Sequence, residues 1–151
     1  DIGNVVNRVD HAQSGAVMAF RILDKMGMAP EDVAVVVTAI GNHDEHTGSA
    51  VTPITAALIL ADKSDVRRSR VRTSSTVATD IHDRVNYAVY TSSLTIGPQK
   101  GELILSLKID TAISAVMDYF EIFLTRMMMC RKAAEFLKLN FQLQINDTRL
   151  L

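Results

Sequence analysis

The chain has 151 residues, and its 16 Lys+Arg against 17 Asp+Glu leave a formal net charge of -1, which excludes a general polyanion binder because duplex binding needs a basic excess. A composition 48% hydrophobic and 22% charged excludes intrinsic disorder, and no apolar run approaches the roughly 18 residues that span a bilayer. The one cysteine, Cys130, forms no internal disulfide, so a cytoplasmic location is expected, and 5% aromatics without Trp argue against a base-stacking platform.

In chain order, residues 10–27 read as a helix with a broad apolar stripe from Ala12 to Met26, stopped by Gly27. Pro30-Glu31-Asp32 opens a second helix that runs through Val33, Val36 and Ile40 to Gly41. Residues 42–48 form a polar loop, and a third helix covers about 53–63. A charged segment, 63–72, is expected to be helical in part, and residues 73–80 form a Ser/Thr-rich connector. Beyond it, 85–96 has the Val, Tyr, Thr and Ile content of a strand, with Tyr87 and Tyr90 on opposite faces. Gly97-Pro98-Gln99-Lys100-Gly101 joins it to a period-2 strand over 103–109. A long helix over 111–138 and an alternating strand over 141–146 complete the chain. The expected fold class is α+β: an all-helical front over 1–72, a connector over 73–80, and a small β-β-α-β unit over 81–151 whose open edge or face suits dimerisation or ligand sensing.

His and Asp recur at four places in the front half, each bounded by an apolar segment: Asp1, His11, His43-Asp44 and Asp62. Divalent cations need imidazole and carboxylate donors gathered from separate elements. Asp62 follows an apolar run, Ala56 to Ala61, where a buried carboxylate costs several kcal/mol unless paired or metal-bound. The competing reading is a helix-end Asp paired with Arg67.

The opening Asp1-Ile2-Gly3-Asn4 resembles the tail of His-Asp-Ile-Gly-(Lys/Asn), the signature of the HD superfamily of metal-dependent phosphohydrolases. His11-Ala12-Gln13-Ser14-Gly15 resembles the His-x-x-x-Gly step of the HD-GYP-like branch. Residues 42–48 resemble its paired-His step and following Gly, and Leu60-Ala61-Asp62-Lys63-Ser64-Asp65 its Val-Ala-Asp-x-x-Asp. These pieces occur in the family's order across 1–72. The resemblance implies that Asp1 bridges two metals and acts with Asp62 in catalysis, that His11 and His43 ligate the second metal, and that Asp62 completes the first. It implies one or two divalent cations (Mn, Fe, Mg or Co) and a cation-activated water attacking phosphorus. Asp44 or Glu45 would orient a ligating imidazole from behind. The family's dyad His would precede Asp1, so the sequence is expected to be the C-terminal part of a longer protein. Asn4 stands for the lysine of many members, Asn42 for the first His of the paired step, and the Gly-Tyr-Pro tripeptide is missing, so cyclic-dinucleotide specificity is not carried over.

Lys63, Arg67 and Arg68, in the basic run after Asp62, are candidates to hold substrate phosphate, against the alternative of a solvated face paired with Asp62 and Asp65. His46 reads as a loop residue, His82-Asp83 as a turn or cap, and Met127-Met128-Met129-Cys130 as core. The expected activity is phosphohydrolase action on a phosphomonoester, nucleotide or cyclic nucleotide, in a homodimer with no membrane or general nucleic-acid partner. The rival is a non-catalytic regulatory or oligomerising module on a degenerate HD scaffold.

Overall fold

In the computed structural model, which describes residues 2–71 and 80–150, the fold is α+β, with helices first and a four-stranded mixed sheet after. A 3-10 turn over Ile2–Val5 precedes α1 (His11–Lys25). Gly27, at φ +75°, lets its N–H reach the Asp24 carbonyl (3.0 Å) and the Met28 N–H reach the Leu23 carbonyl (3.1 Å). This paired closure satisfies two end carbonyls and ends α1 where the sequence expects it. Helix α2 (Pro30–Gly41) begins at Pro30 with Glu31 and Asp32 in its first turn. In front of α3 (Pro53–Ser64), Thr52 Oγ1 accepts the Thr55 N–H at 3.1 Å, a side-chain cap ahead of a proline start. Helix α3 buries Thr55, Ala56, Ile59, Leu60 and Lys63, positions three and four apart that share one face.

The chain forms two compact units, Asp1–Asp62 and Lys63–Leu151, so the residues after Asp62, expected with the front, belong with the sheet. The second unit carries a 3-10 turn over Arg68–Arg70, α4 (Ile81–Ala88), β1 (Val89–Ile96), β2 (Glu102–Ile109), α5 (Val116–Phe136), β3 (Asn140–Ile145) and the two-residue β4 (Thr148–Arg149). Strand order is β1-β2-β3-β4. The β1–β2 hairpin is antiparallel, α5 carries the chain to β3 parallel to β2, and β4 returns antiparallel. Leu103, Leu105, Leu107 and Ile109 alternate on β2 and align with Phe141, Leu143 and Ile145 on β3, giving one buried face. Helix α5, which packs on β3, buries Tyr119, Phe123, Met127, Cys130, Ala133 and Ala134. Met127, Met129 and Cys130 are core as expected, whereas Met128 is exposed. Burial, then the neighbouring Cys130, pushes the Tyr119 phenol above its ordinary range. No helix among the described residues is long and apolar enough to cross a membrane.

Two element boundaries differ from expectation. Residues 81–88, half of which were assigned to a strand, are helix. Asp80 accepts the His82 and Asp83 N–H groups, Asn86 Nδ2 donates to the His82 carbonyl, and Val85 and Ala88 are buried a helical turn apart. Capping and burial thus override the β-propensity of Val85 and Tyr87. Helix α5 starts at Val116 rather than 111, because Asp110 captures the Ala112 N–H with its side chain and the Ser114 N–H with its carbonyl. Asp118 then holds Ser114 Oγ (2.9 Å) and the Ala115 N–H (3.2 Å) at the true helix start. Of the expected connector over 73–80, residues 73–79 lie outside the described residues, and Asp80 is the cap of α4.

The Asp80 carboxylate is held below its ordinary value of 3.8 by the His82 and then the Asp83 N–H groups. Its folded-state pKa is therefore lower than its unfolded one. Its stabilising contribution is complete above the unfolded value and disappears as pH falls through the folded one. Urea denaturation between about pH 6 and about pH 3 should show Asp80→Ala less stable than wild type at the upper end, with the gap closing toward the lower end. A constant gap would contradict the cap.

Candidate metal centre

A backbone contact places the first donor. Gly3, in the opening 3-10 turn, lies so close to α1 that a Cβ there would stand 1.9 Å from the His11 carbonyl oxygen and 2.6 Å from the Gly15 nitrogen. A Cβ on Gly15 would in turn stand 3.4 Å from the Gly3 nitrogen and 3.4 Å from Ile40 Cγ2. The glycines of the first two motif pieces are thus apposed across the first turn of α1. Asp10, at φ 59°, makes the left-handed bend into that helix, a conformation Asp tolerates better than most residues.

The two imidazoles are adjacent. Their ring centroids are 5.1 Å apart, with planes at 84°. His11 Nδ1 lies 3.0 Å from the Arg8 carbonyl oxygen, and His43 Nδ1 lies 2.6 Å from that of Ile40. A carbonyl only accepts, so each Nδ1 carries the proton and, in the neutral ring, the lone pair is on Nε2. That tautomer, fixed by a carbonyl behind the ring, is the one ligating histidines use. His43 is 6% exposed and follows the end of α2, whose partial negative charge favours a nearby cation. Helices α1 and α2 are tied beside the pair by Gln13 Nε2, which donates to the Gly41 carbonyl at 2.9 Å.

Asp44 lies behind His11, with Oδ2 3.9 Å from Nδ1, while its Oδ1 accepts the His46 N–H at 3.0 Å. The carboxylate is thus on the Nδ1 side of the ring. Gly48 closes this loop, since a Cβ there would meet the Asn42 carbonyl oxygen at 2.2 Å. Asn42 itself folds back on α2, Nδ2 donating to the Thr38 carbonyl at 2.9 Å. Nothing in the local sequence signals that turn. Glu45 is half-buried in the loop. His46 is an exposed loop residue, as expected, with its side chain 79% accessible.

Asp62 is half-buried in the last turn of α3. Asp1 lies outside the described residues. Among the described residues, no group of three or more His, Cys, Asp or Glu side chains is placed to hold a cation. Two imidazole nitrogens are nonetheless a donor set that suits a transition cation.

The basic run has local partners in the second unit. Lys63 is buried. Arg67 Nε is 2.7 Å from Asp65 Oδ1, and Arg70 Nη1 is 3.0 Å from Asp65 Oδ2. The ion partner given to Arg67 is therefore Asp65, where Asp62 was the alternative. Arg68 stacks on Tyr87 (4.3 Å) and Tyr90 (4.7 Å) and donates from Nε to the Tyr87 carbonyl at 2.7 Å. Tyr87 and Tyr90, expected on opposite faces of one strand, meet on this guanidinium because Tyr87 belongs to α4. Tyr90 Oη donates to Asp110 at 2.6 Å, which holds that carboxyl low with help from the Ala112 N–H. His82-Asp83 forms the first turn of α4.

Comparison of the chain with protein-family models, with curated proteins and with solved structures finds no match.

Gly3→Ala should destabilise the chain by roughly 1–3 kcal/mol, since backbone must move to admit the methyl group. Gly41→Ala, whose Cβ meets only ordinary contacts at 3.7 Å from Ala16 and Gln13, should be neutral or stabilising by up to about 1 kcal/mol. Urea denaturation of the two variants separates these outcomes, and equal effects would contradict the close approach at Gly3.

Proposed function

We propose that this chain carries part of the metal centre of an HD-type phosphohydrolase that cleaves a phosphomonoester, nucleotide or cyclic nucleotide. The supporting observation is the adjacent His11–His43 pair with both Nδ1 atoms on backbone carbonyls. In this reading His11 and His43 hold a divalent cation through Nε2, Asp44 keeps the His11 ring in position, and Asp1 and Asp62 are further carboxylate donors by the motif resemblance. When bound, a divalent cation lowers the pKa of water and stabilises charge on a phosphoryl group. His11 begins α1, and the positive end of that helix favours the phosphate whose charge balances the cation. Arg67 and Arg68 are given no phosphate role in this reading, because Asp65 engages the first and the Tyr87 ring and carbonyl the second.

A second reading, a regulatory or oligomerising module on the same scaffold, is favoured by Asn42, whose side chain is engaged with α2 at the place where the resemblance expects an imidazole. Its dimer would use the sheet unit, where β1 is an eight-residue edge strand without a charged residue.

The two readings separate in a turnover assay. The chain, loaded with Mn²⁺ or Co²⁺, should hydrolyse a chromogenic phosphomonoester or a nucleotide, and His11→Gln should lower the rate at least about 100-fold. Equal rates for wild type and His11→Gln, or no hydrolysis of any phosphoester, would overturn the enzymatic reading in favour of the module.

A further inference from the structure

The two edges of the sheet are built differently. Beyond β3 the sheet ends in β4, two residues long with Arg149 in it, and the Leu150 N–H donates to the Leu143 carbonyl at 2.9 Å. Short, charged edges of this kind discourage further pairing. At the other end, β1 has eight residues and no charged one. The Gly97 N–H donates to the Glu102 carbonyl at 3.0 Å, and bonded residues alternate along an antiparallel pair. Ser93 and Thr95 therefore bond to β2, while Leu94 and Ile96 turn their N–H and C=O groups outward. Farther back, Ser92 Oγ donates to the Ser64 carbonyl at 2.6 Å, so the end of α3 borders the first half of β1 and a partner strand has access to the second half.

The buried face of the sheet runs out onto that half-strand. Phe141 pairs with Leu103 and Leu103 with Ile96, while Leu143 pairs with Leu105 and Leu105 with Leu94. Paired residues share a face, so Ile96 and Leu94 extend two apolar rows. The first of these ends in solvent, with Ile96 68% exposed.

We propose that β1 pairs antiparallel with β1 of a second copy of this chain, with the two-fold axis at Thr95, so that the two sheets become one. Leu94 of each copy then faces Ile96 of the other. This register uses the outward N–H and C=O groups of both strands. It also runs the row Phe141-Leu103-Ile96 of one copy directly into the row Leu94-Leu105-Leu143 of the other. A second copy meets what the edge asks of an occupant, an uncharged strand that continues those rows, and a net charge of -1 sets no strong repulsion between copies. With one such edge in each sheet, the pairing closes at two copies. The inference takes up the dimer of the second reading and requires neither a cation nor turnover.

Sedimentation of the full chain at micromolar concentration should show a dimer. Thr95→Lys, at an exposed position, brings two ammonium groups together on the axis and should weaken the dimer at least about 100-fold. Its urea midpoint should stay near that of wild type, which separates lost pairing from lost folding. Thr95→Cys should cross-link to itself under oxidised glutathione, since residues opposed across such an axis have Cα atoms about 4.5 Å apart, within disulfide reach. Thr91→Cys, exposed on the same strand but out of register, should not, and the native Cys130 is buried. A monomeric wild type would overturn the proposal, as would cross-linking of Thr91→Cys at least as fast as that of Thr95→Cys. A dimer that Thr95→Lys leaves intact would sink the strand pairing and leave the oligomerising reading standing. A dimer lost in Thr95→Lys, in a chain that hydrolyses phosphoesters, would uphold the pairing and sink the non-catalytic reading.

Discussion

Backbone against backbone at Gly3 is the contact on which the front of the molecule depends. With a Cβ position only 1.9 Å from the His11 carbonyl oxygen, no other residue type fits there without moving the 3-10 turn away from α1. Gly15 allows the same approach from the other side and also admits Ile40 of α2. Farther along, Gly41 lies against Ala16 and receives the Gln13 amide on its carbonyl. Small residues thus bring three successive elements close enough for His11, at one helix start, to meet His43, just past another helix end. The adjacency of the two rings is a by-product of that packing. Each ring is bonded to a carbonyl three residues earlier in its own chain segment, so local hydrogen bonds set the tautomer and the helix contact sets the spacing.

The elements with strong local signals were legible in the sequence. Gly27 marks the end of α1 because only glycine adopts φ +75° cheaply, and Pro30 marks the start of α2 because its missing N–H costs nothing there. The alternation on β2 and β3 was legible because one face of each is buried. The start of β1 was not. Val85 and Tyr87 are good strand formers, and the deciding facts were the Asp80 cap and burial of Val85 and Ala88 on one helical side. Periodicity likewise extended α5 backward through 111–115, where the Asp110 side chain redirects the backbone.

The site was legible to a similar depth. His11, His43 and Asp44 were singled out by their motif resemblance, and the fold sets the two rings 5.1 Å apart with Asp44 Oδ2 3.9 Å from His11 Nδ1. The fate of the basic run could not be read in this way, since it turns on Tyr87 and Tyr90, far away in sequence. Arg68 puts its charge on two aromatic faces, and Arg67 and Arg70 share Asp65, so a segment that reads as a phosphate clamp is tied to the sheet unit. Asn42 was visible as a departure, but its turn back onto Thr38 is a conformational choice that residue type does not dictate.

The most direct test of the account is the protonation pattern of the two imidazoles in the metal-free chain, read by long-range proton–nitrogen NMR correlation near pH 8. The account requires His11 and His43 both to carry the proton on Nδ1, facing the Arg8 and Ile40 carbonyls, with Nε2 as the pyridine-type nitrogen. An Nε2–H tautomer in either ring would show that the pair is not prearranged as a donor set, and the metal centre built on it would fall.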